Sequence, residues 1–176
     1  MGLKLARCVA GLCVTALATT AYAQDVSTNR VAAKTDWSVF VEKDPTECWS
    51  VSAPKETVNT RDGRVVAARR GDILLFVFYR PGDKVNGQVT FTGGYPFAKN
   101  STVNVSVGEA EFELFTDGEW AWPATEGDDA KLITAMKRGT EAVLTARSQR
   151  GTQTKDTFSL LGFTAAIEDA EKRCAQ

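Results

Sequence analysis

The chain has 176 residues, a formal net charge of −1 and no histidine. This charge argues against nucleic acid as a partner, because binding to phosphates needs a dense basic face. The lack of histidine excludes Ser-His-Asp and Cys-His catalytic sites and removes the commonest metal ligand. We therefore expect no catalytic residues, metal site or cofactor.

The N-terminus has the three segments of a secretory signal peptide in the usual order. Lys4 and Arg7 are basic, residues 9–18 are apolar, and Ala21-Tyr22-Ala23 is a small-residue cleavage site. The alternative is an uncleaved anchor, but about ten apolar residues fall short of the roughly 20 that span a bilayer. We expect residues 1–23 to be removed, leaving no membrane span. This export predicts a periplasmic protein, or one that is secreted or associated with the outer surface.

The cysteines become informative once the signal peptide is removed, because only Cys48 and Cys174 then remain. Two thiols in an oxidising compartment usually pair. A bridge closing such a long loop is assigned up to roughly 5 kcal/mol by the chain-entropy model. The alternatives are two buried free thiols or an exchange-active pair, although nothing here resembles Cys-x-x-Cys.

The mature chain is predicted to form a short leader and one domain. Residues 24–35 are small and polar, which predicts a flexible leader, and residues 36–176 are predicted to fold as a single domain of ordinary size. The run at 73–79 is continuously apolar and is the candidate for a central buried strand. Residues 55–63 are polar and are interpreted as a loop or hairpin tip. Further strand-like runs lie at 36–41, 47–52, 88–92, 102–107, 110–115, 119–122, 141–149 and 152–161.

Two segments have helical rather than strand periodicity. Asp128 is expected to cap a helix that ends in Lys137 and Arg138 before Gly139. A C-terminal helix is predicted to carry Cys174 back to the core, with Phe163, Ala166, Ile167 and Ala170 on one stripe. The predicted class is all-β: an antiparallel β-sandwich or barrel-like domain with one or two short helices, including a C-terminal helix.

Aromatic side chains are the candidates for a binding patch. Trp120 and Trp122 lie on one face of their strand, and Tyr95 and Phe97 lie in a loop shaped by two glycines and Pro96. If exposed, these four rings would present apolar area to a partner; the alternative is that they fill one end of the core. Trp37 and Trp49 are expected in the core.

A cluster of charged residues near the Arg150-Gly151 turn is a second candidate site. They are Arg147, Arg150, Lys155 and Asp156. We interpret them as a solvated hairpin with weak surface ion pairs.

In combination, several stretches resemble the invasion-associated locus B family of exported bacterial proteins. The most specific is Ser148-Gln149-Arg150-Gly151-Thr152 with Asp156-Thr157-Phe158-Ser159-Leu160 and Gly162-Phe163, closed by Cys174. The others are Cys48-Trp49-Ser50-Val51, Gly94-Tyr95-Pro96-Phe97, Phe112 to Phe115 with Ala121-Trp122, and Ala135-Met136-Lys137 before Gly139. The resemblance implies an envelope or secreted protein without known enzymatic activity or cofactor. It identifies no binding residues.

The leading functional hypothesis is a periplasmic or surface-associated protein that binds an envelope or host component, whose identity the sequence does not give. The alternative is a carboxylate-based hydrolase of an envelope polysaccharide or lipid. A third hypothesis is a purely structural role. A concave pocket in which acidic and basic groups converge would favour the enzyme.

Overall fold

A computed structural model describes residues 29–175, so the predicted signal peptide lies outside the described residues. The first seven strands are β1 (Arg30–Lys34), β2 (Trp37–Lys43), β3 (Thr46–Ser52), β4 (Glu56–Arg61), β5 (Arg64–Val65), β6 (Leu74–Arg80) and β7 (Val85–Thr92). The others are β8 (Thr102–Val107), β9 (Ala110–Asp117), β10 (Trp120–Trp122), β11 (Glu141–Arg147) and β12 (Gln153–Ser159). The helices are α1 (Glu126–Arg138) and α2 (Phe163–Cys174), and a 3₁₀ turn spans Pro81–Asp83.

The strands form one antiparallel sheet in the order β1-β2-β3-β6-β7-β10-β9-β8-β11-β12-β4-β5. The sheet is not closed, because β1 and β5 are free edges, but it folds over on itself. Trp37 on β2 donates from Nε1 to the Ser159 carbonyl oxygen at the end of β12, 2.9 Å away. Phe91 on β7 likewise meets Phe158 on β12 edge to face. The predicted sandwich-like, mostly antiparallel fold with two short helices is confirmed.

The core lies between the inner faces of this folded sheet and α2. Strand residues alternate between buried and partly exposed, as in β6, where Leu75, Val77 and Tyr79 are buried. The predicted stripe of α2 is buried, and its Phe163 packs edge to face on Trp37. Burying this stripe stabilises α2, which is too short to be stable alone.

The disulfide between Cys48 and Cys174 is present, as predicted. The two Cα atoms lie 5.7 Å apart, and both cysteines are buried. The bridge joins the end of α2 to β3 and so fixes the C-terminus to the sheet.

Helix α1 covers part of β7 that has no strand partner on one side. Strand β10 pairs with β7 only at Phe91 and Thr92. Further along β7, the Val89 amide donates to the Asp129 carboxylate at 2.7 Å. The buried carboxylate therefore replaces the missing strand as hydrogen-bond acceptor.

Three local predictions were wrong. Residues 30–34 of the predicted leader form β1. Apart from Val31 this strand has only alanines and long polar side chains, so apolar and polar residues do not alternate along it. Most of residues 55–63 belong to β4, which pairs with β12, and only the turn at Asp62-Gly63 matches the hairpin tip. The cap of α1 is Thr125, whose hydroxyl accepts from the Asp128 amide, so Asp128 lies in the first turn.

Candidate functional site

An open pocket of about 490 Å³ lies beside the folded sheet. One wall is residues 66–73, which connect β5 to β6 without regular structure and are called the strap here. The other walls are the loop after β7 and the turn between β11 and β12. Its lining residues are Asn59, Arg61, Val66, Ala67, Ala68, Arg69, Arg70, Gly94, Tyr95, Pro96, Glu119, Ser148, Gln149, Arg150, Thr152 and Thr154. We call it the arginine pocket, because four arginines line it.

The strap is held in place by a buried ion pair. Arg70 donates from Nη1 and Nη2 to the two oxygens of Asp156 on β12, at 2.7 and 2.6 Å. Its Nε also donates to the Gly93 carbonyl oxygen at 2.8 Å, and the guanidinium lies over the Tyr95 ring. Burial raises the pKa of Asp156, and the Arg70 guanidinium opposes that rise. The fork geometry orients Arg70 in a way that a lysine could not.

Gly94 is required where the strap meets the loop after β7. The Gly71 amide donates to the Gly94 carbonyl oxygen at 2.9 Å, and Gly94 has a φ of +70°. A Cβ added at Gly94 would lie 2.6 Å from the Gly71 carbonyl oxygen. Gly94, the second of the paired glycines, therefore permits a close approach of two backbones.

The same loop is tied to the β11–β12 turn. The Gln149 amide donates to the Pro96 carbonyl oxygen at 3.0 Å, and the Ala98 amide donates to the Arg147 carbonyl oxygen at 2.8 Å. The Tyr95 hydroxyl lies 2.6 Å from the hydroxyl of Thr154. Burial raises the pKa of Tyr95, so its phenol stays protonated at neutral pH. These contacts fix the back of the pocket.

The charge of the pocket is positive, although the chain is acidic. Within residues 29–175, no carboxylate lies within 4.0 Å of the charged nitrogens of Arg61, Arg69 or Arg150, and Glu119 is the single acidic lining residue. Arg61 donates from Nη2 to the Thr152 hydroxyl at 2.7 Å, which orients it. Three guanidinium groups thus remain available to an anionic ligand.

Sequence reasoning missed this site. Arg147, Arg150 and Lys155 around the Arg150-Gly151 turn are exposed, as expected, but Asp156 is fully buried and bound to Arg70 instead of forming a surface ion pair. Asp156 lies on the same buried face of β12 as Thr154 and Phe158, and this spacing of two residues was the available signal for an inward-facing carboxylate. Arg61, Arg69 and Arg70 carried no pattern of their own.

The four rings of the candidate binding patch fall into two pairs: Tyr95 and Phe97 meet edge to face, with ring centroids 5.3 Å apart, and Trp120 and Trp122 lie on β10. Tyr95 is half-buried in the arginine pocket, and Phe97 is 4% exposed in the core against Phe91. Trp120 is 44% exposed, and Trp122 is half-buried on the same face of β10. A contact between these rings and a partner remains a prediction.

Trp120 stands at one end of a row of rings on the outer face of the sheet. Neighbouring ring centroids are 5.1 to 6.2 Å apart. In order across the sheet, the rings of this aromatic row are Phe40, Trp49, Phe78, Phe76 and Trp120. The prediction that Trp49 lies in the core was wrong, because it is half-buried on the outer face, whereas Trp37 is a core residue, as expected. The row explains why β6 is apolar on both faces.

Across residues 29–175, no three His, Cys, Asp or Glu side chains come together in a way that could hold a metal ion. Over the same residues, neither helix has the length and apolar character needed to cross a membrane.

Comparison with known proteins identifies the family. The family model described as "Invasion associated locus B (IalB) protein" matches residues 37–171. A search of curated proteins finds no match. Among solved structures, the crystal structure of invasion associated protein B from Bartonella henselae is similar, with 14% identity, a TM-score of 0.57, and coverage of 82% of this chain and 98% of that chain. That likeness shows a shared fold, and the family match covers most of the described domain. The chain belongs to the invasion associated locus B family.

Proposed function

We propose that this protein is an exported, non-catalytic binding protein of the bacterial envelope, and that it holds an envelope or host component at the arginine pocket. The observation that supports the proposal is that two distant stretches of the sequence come together in the fold. The stretches Gly94–Pro96 and Ser148–Thr152 are far apart in sequence, yet both line one open pocket with arginines. Both stretches are among those on which the family resemblance rests.

The charges of the pocket favour binding over the alternative, carboxylate-based hydrolysis. Hydrolysis of a glycoside normally uses two carboxyl groups facing the substrate, about 5 to 10 Å apart. Among residues 29–175, Glu119 is the single carboxylate that lines the pocket. The nearby Asp156 is fully buried and accepts two hydrogen bonds from Arg70, so it is not available to a substrate.

Export is supported by the disulfide, because such bonds persist in oxidising compartments. The predicted cleavage after Ala23 lies outside the described residues and remains a prediction. A periplasmic or surface location follows from both features taken together.

The exposed end of the aromatic row is a second part of the proposal. Trp120 and Phe115 are 44% and 54% exposed, and Phe115 pairs with Trp122 across neighbouring strands. Exposed rings of this size contribute contact area at low entropic cost. They would extend the area that a large partner contacts.

The proposal is tested by capture from envelope extracts with immobilised, oxidised protein spanning residues 24–176. The wild type is compared with R69Q/R150Q and with the matched control K155Q/K172Q, which removes two exposed charges outside the pocket. We expect R69Q/R150Q to lose a captured component that the control retains. Equal capture by all three proteins would reject the pocket as the binding site. Release of product from envelope polysaccharide that E119Q abolishes would instead establish the hydrolase.

A further inference from the structure

We infer that the arginine pocket binds a ligand with an oxyanion, namely a phosphate or carboxylate group attached to a polar molecule. This inference deepens the proposed function and rests on it. Arg61, Arg69 and Arg150 supply guanidinium donors that form no ion pair within 4.0 Å with a carboxylate of residues 29–175. Guanidinium groups match the geometry of carboxylate and phosphate oxygens and form strong, charge-assisted hydrogen bonds with them.

The backbone segments that carry Arg69 and Arg150, and the side chain of Arg61, are held in place without a ligand. Arg70 is almost fully buried and is bound to Asp156, so it anchors the strap next to Arg69. Arg61 is oriented by its hydrogen bond to Thr152. The turn that carries Arg150 is held by the Gln149 amide on Pro96. Because these segments are already ordered, ligand binding costs less conformational entropy.

The volume and the remaining lining residues define the rest of the ligand. About 490 Å³ lies within the range of small-molecule sites and exceeds what one phosphate group fills. Around the arginines the pocket offers side-chain amides and hydroxyls, from Asn59, Gln149, Ser148 and Thr152. A hydroxyl-rich body such as a sugar or a lipid headgroup has the complementary donors and acceptors.

The test is a calorimetric titration of oxidised protein spanning residues 24–176. The probes are glucose 6-phosphate, glucuronate and neutral glucose. Vesicles of phosphatidylglycerol and of phosphatidylcholine form a second arm, read by co-sedimentation. We expect saturable binding of at least one of the three anionic probes, no binding of either neutral probe, and weaker binding at higher salt. Binding to phosphatidylglycerol alone would identify a lipid headgroup as the source of the oxyanion.

The variants decide whether the arginines are responsible. We expect R69Q/R150Q to bind the anion about tenfold more weakly or worse, and K155Q/K172Q to bind it as the wild type does. Equal weakening in both variants, or no saturable binding of any anionic probe, overturns the inference. If no anion binds while R69Q/R150Q still loses its captured envelope component, this inference fails and the proposed function stands.

Discussion

Arg70 on the strap and Asp156 on β12 form a bidentate ion pair that is shielded from solvent, with side-chain exposures of 6% and 0%. The two residues are distant in sequence, and their contact closes the irregular segment between β5 and β6 onto the sheet. The pair therefore shapes the arginine pocket without presenting its own charges to a ligand.

Replacing Asp156 with asparagine should destabilise the domain by about 3 to 5 kcal/mol, because it leaves Arg70 buried without a counter-charge. Urea unfolding at pH 7 measures this change. The double variant R70M/D156L, which removes both charges, should lose less free energy of unfolding than D156N alone. A cost for D156N below about 1 kcal/mol would contradict the role assigned to the pair.

Breaking the disulfide with C174S should lower the thermal midpoint markedly, because it removes up to roughly 5 kcal/mol of the stabilisation that the long closed loop allows. The β content should persist, since the bridge acts largely through the unfolded state. Differential scanning calorimetry and far-ultraviolet circular dichroism test the two parts. Two reactive thiols in native, oxidised wild-type protein would contradict the bridge itself.

Asp129 should make stability depend on pH. Burial raises its pKa to about 6 from an ordinary value of 3.8, with Asp128 and Glu126 adding to the rise and the Val89 amide opposing it. The folded protein therefore binds more protons than the unfolded chain between these values. The stabilisation is complete below about pH 4 and is lost as the pH rises through about 6.

Acidification of the wild type from pH 7 to pH 5 should accordingly raise its stability relative to D129N, by about 1 kcal/mol. Asparagine keeps an oxygen that can accept from the Val89 amide, so D129N is a matched control. Neighbouring Asp128 has a lowered pKa because Lys131 and Thr125 bind it, so it stays charged across this range. Parallel stability curves for the two proteins would show that Asp129 does not titrate in this way.

Replacing Trp120 with alanine should weaken capture of a partner while leaving the thermal midpoint nearly unchanged, because this ring is exposed. The control is L161A, which removes another exposed apolar side chain away from the aromatic row. F97A, by contrast, should destabilise the core by about 3 to 5 kcal/mol. Unchanged capture by W120A would remove the aromatic row from the proposal.

The mature protein should begin at Gln24, because the basic, apolar and small-residue segments are in the order that signal peptidase requires. Mass spectrometry of the periplasmic fraction measures the N-terminus. Recovery of protein that retains Met1 would show that the segment is not removed.

The sequence predicted most of the sheet but not its edges. Strands such as β8 alternate valine with polar residues, and one buried face imposes this alternation. Edge strands β1 and β5 bury little, and neither shows a recognisable pattern. In β4, Thr57, Val58 and Thr60 favour strands, but the run is polar without apolar alternation, and its pairing with β12 was not apparent from the sequence.

The candidate site was less predictable, since it depends on contacts between distant segments. Tyr95 was singled out as part of an aromatic patch, yet its position in the pocket depends on Arg70 and Thr154. Neither partner could be inferred from local spacing. The arginines of the pocket come from β4, the strap and the β11–β12 turn, and the folding-over of the sheet brings these together.

The bridge from Cys48 to Cys174 also makes nearly the whole domain a covalent ring. A protease that cuts the exposed strap residues Ala67 to Arg69, or any other backbone bond between the two cysteines, opens the ring without separating the pieces. The fragments stay paired across the sheet at high effective concentration. Outside the reducing cytoplasm, a single cleavage in this region would therefore leave one molecule rather than two.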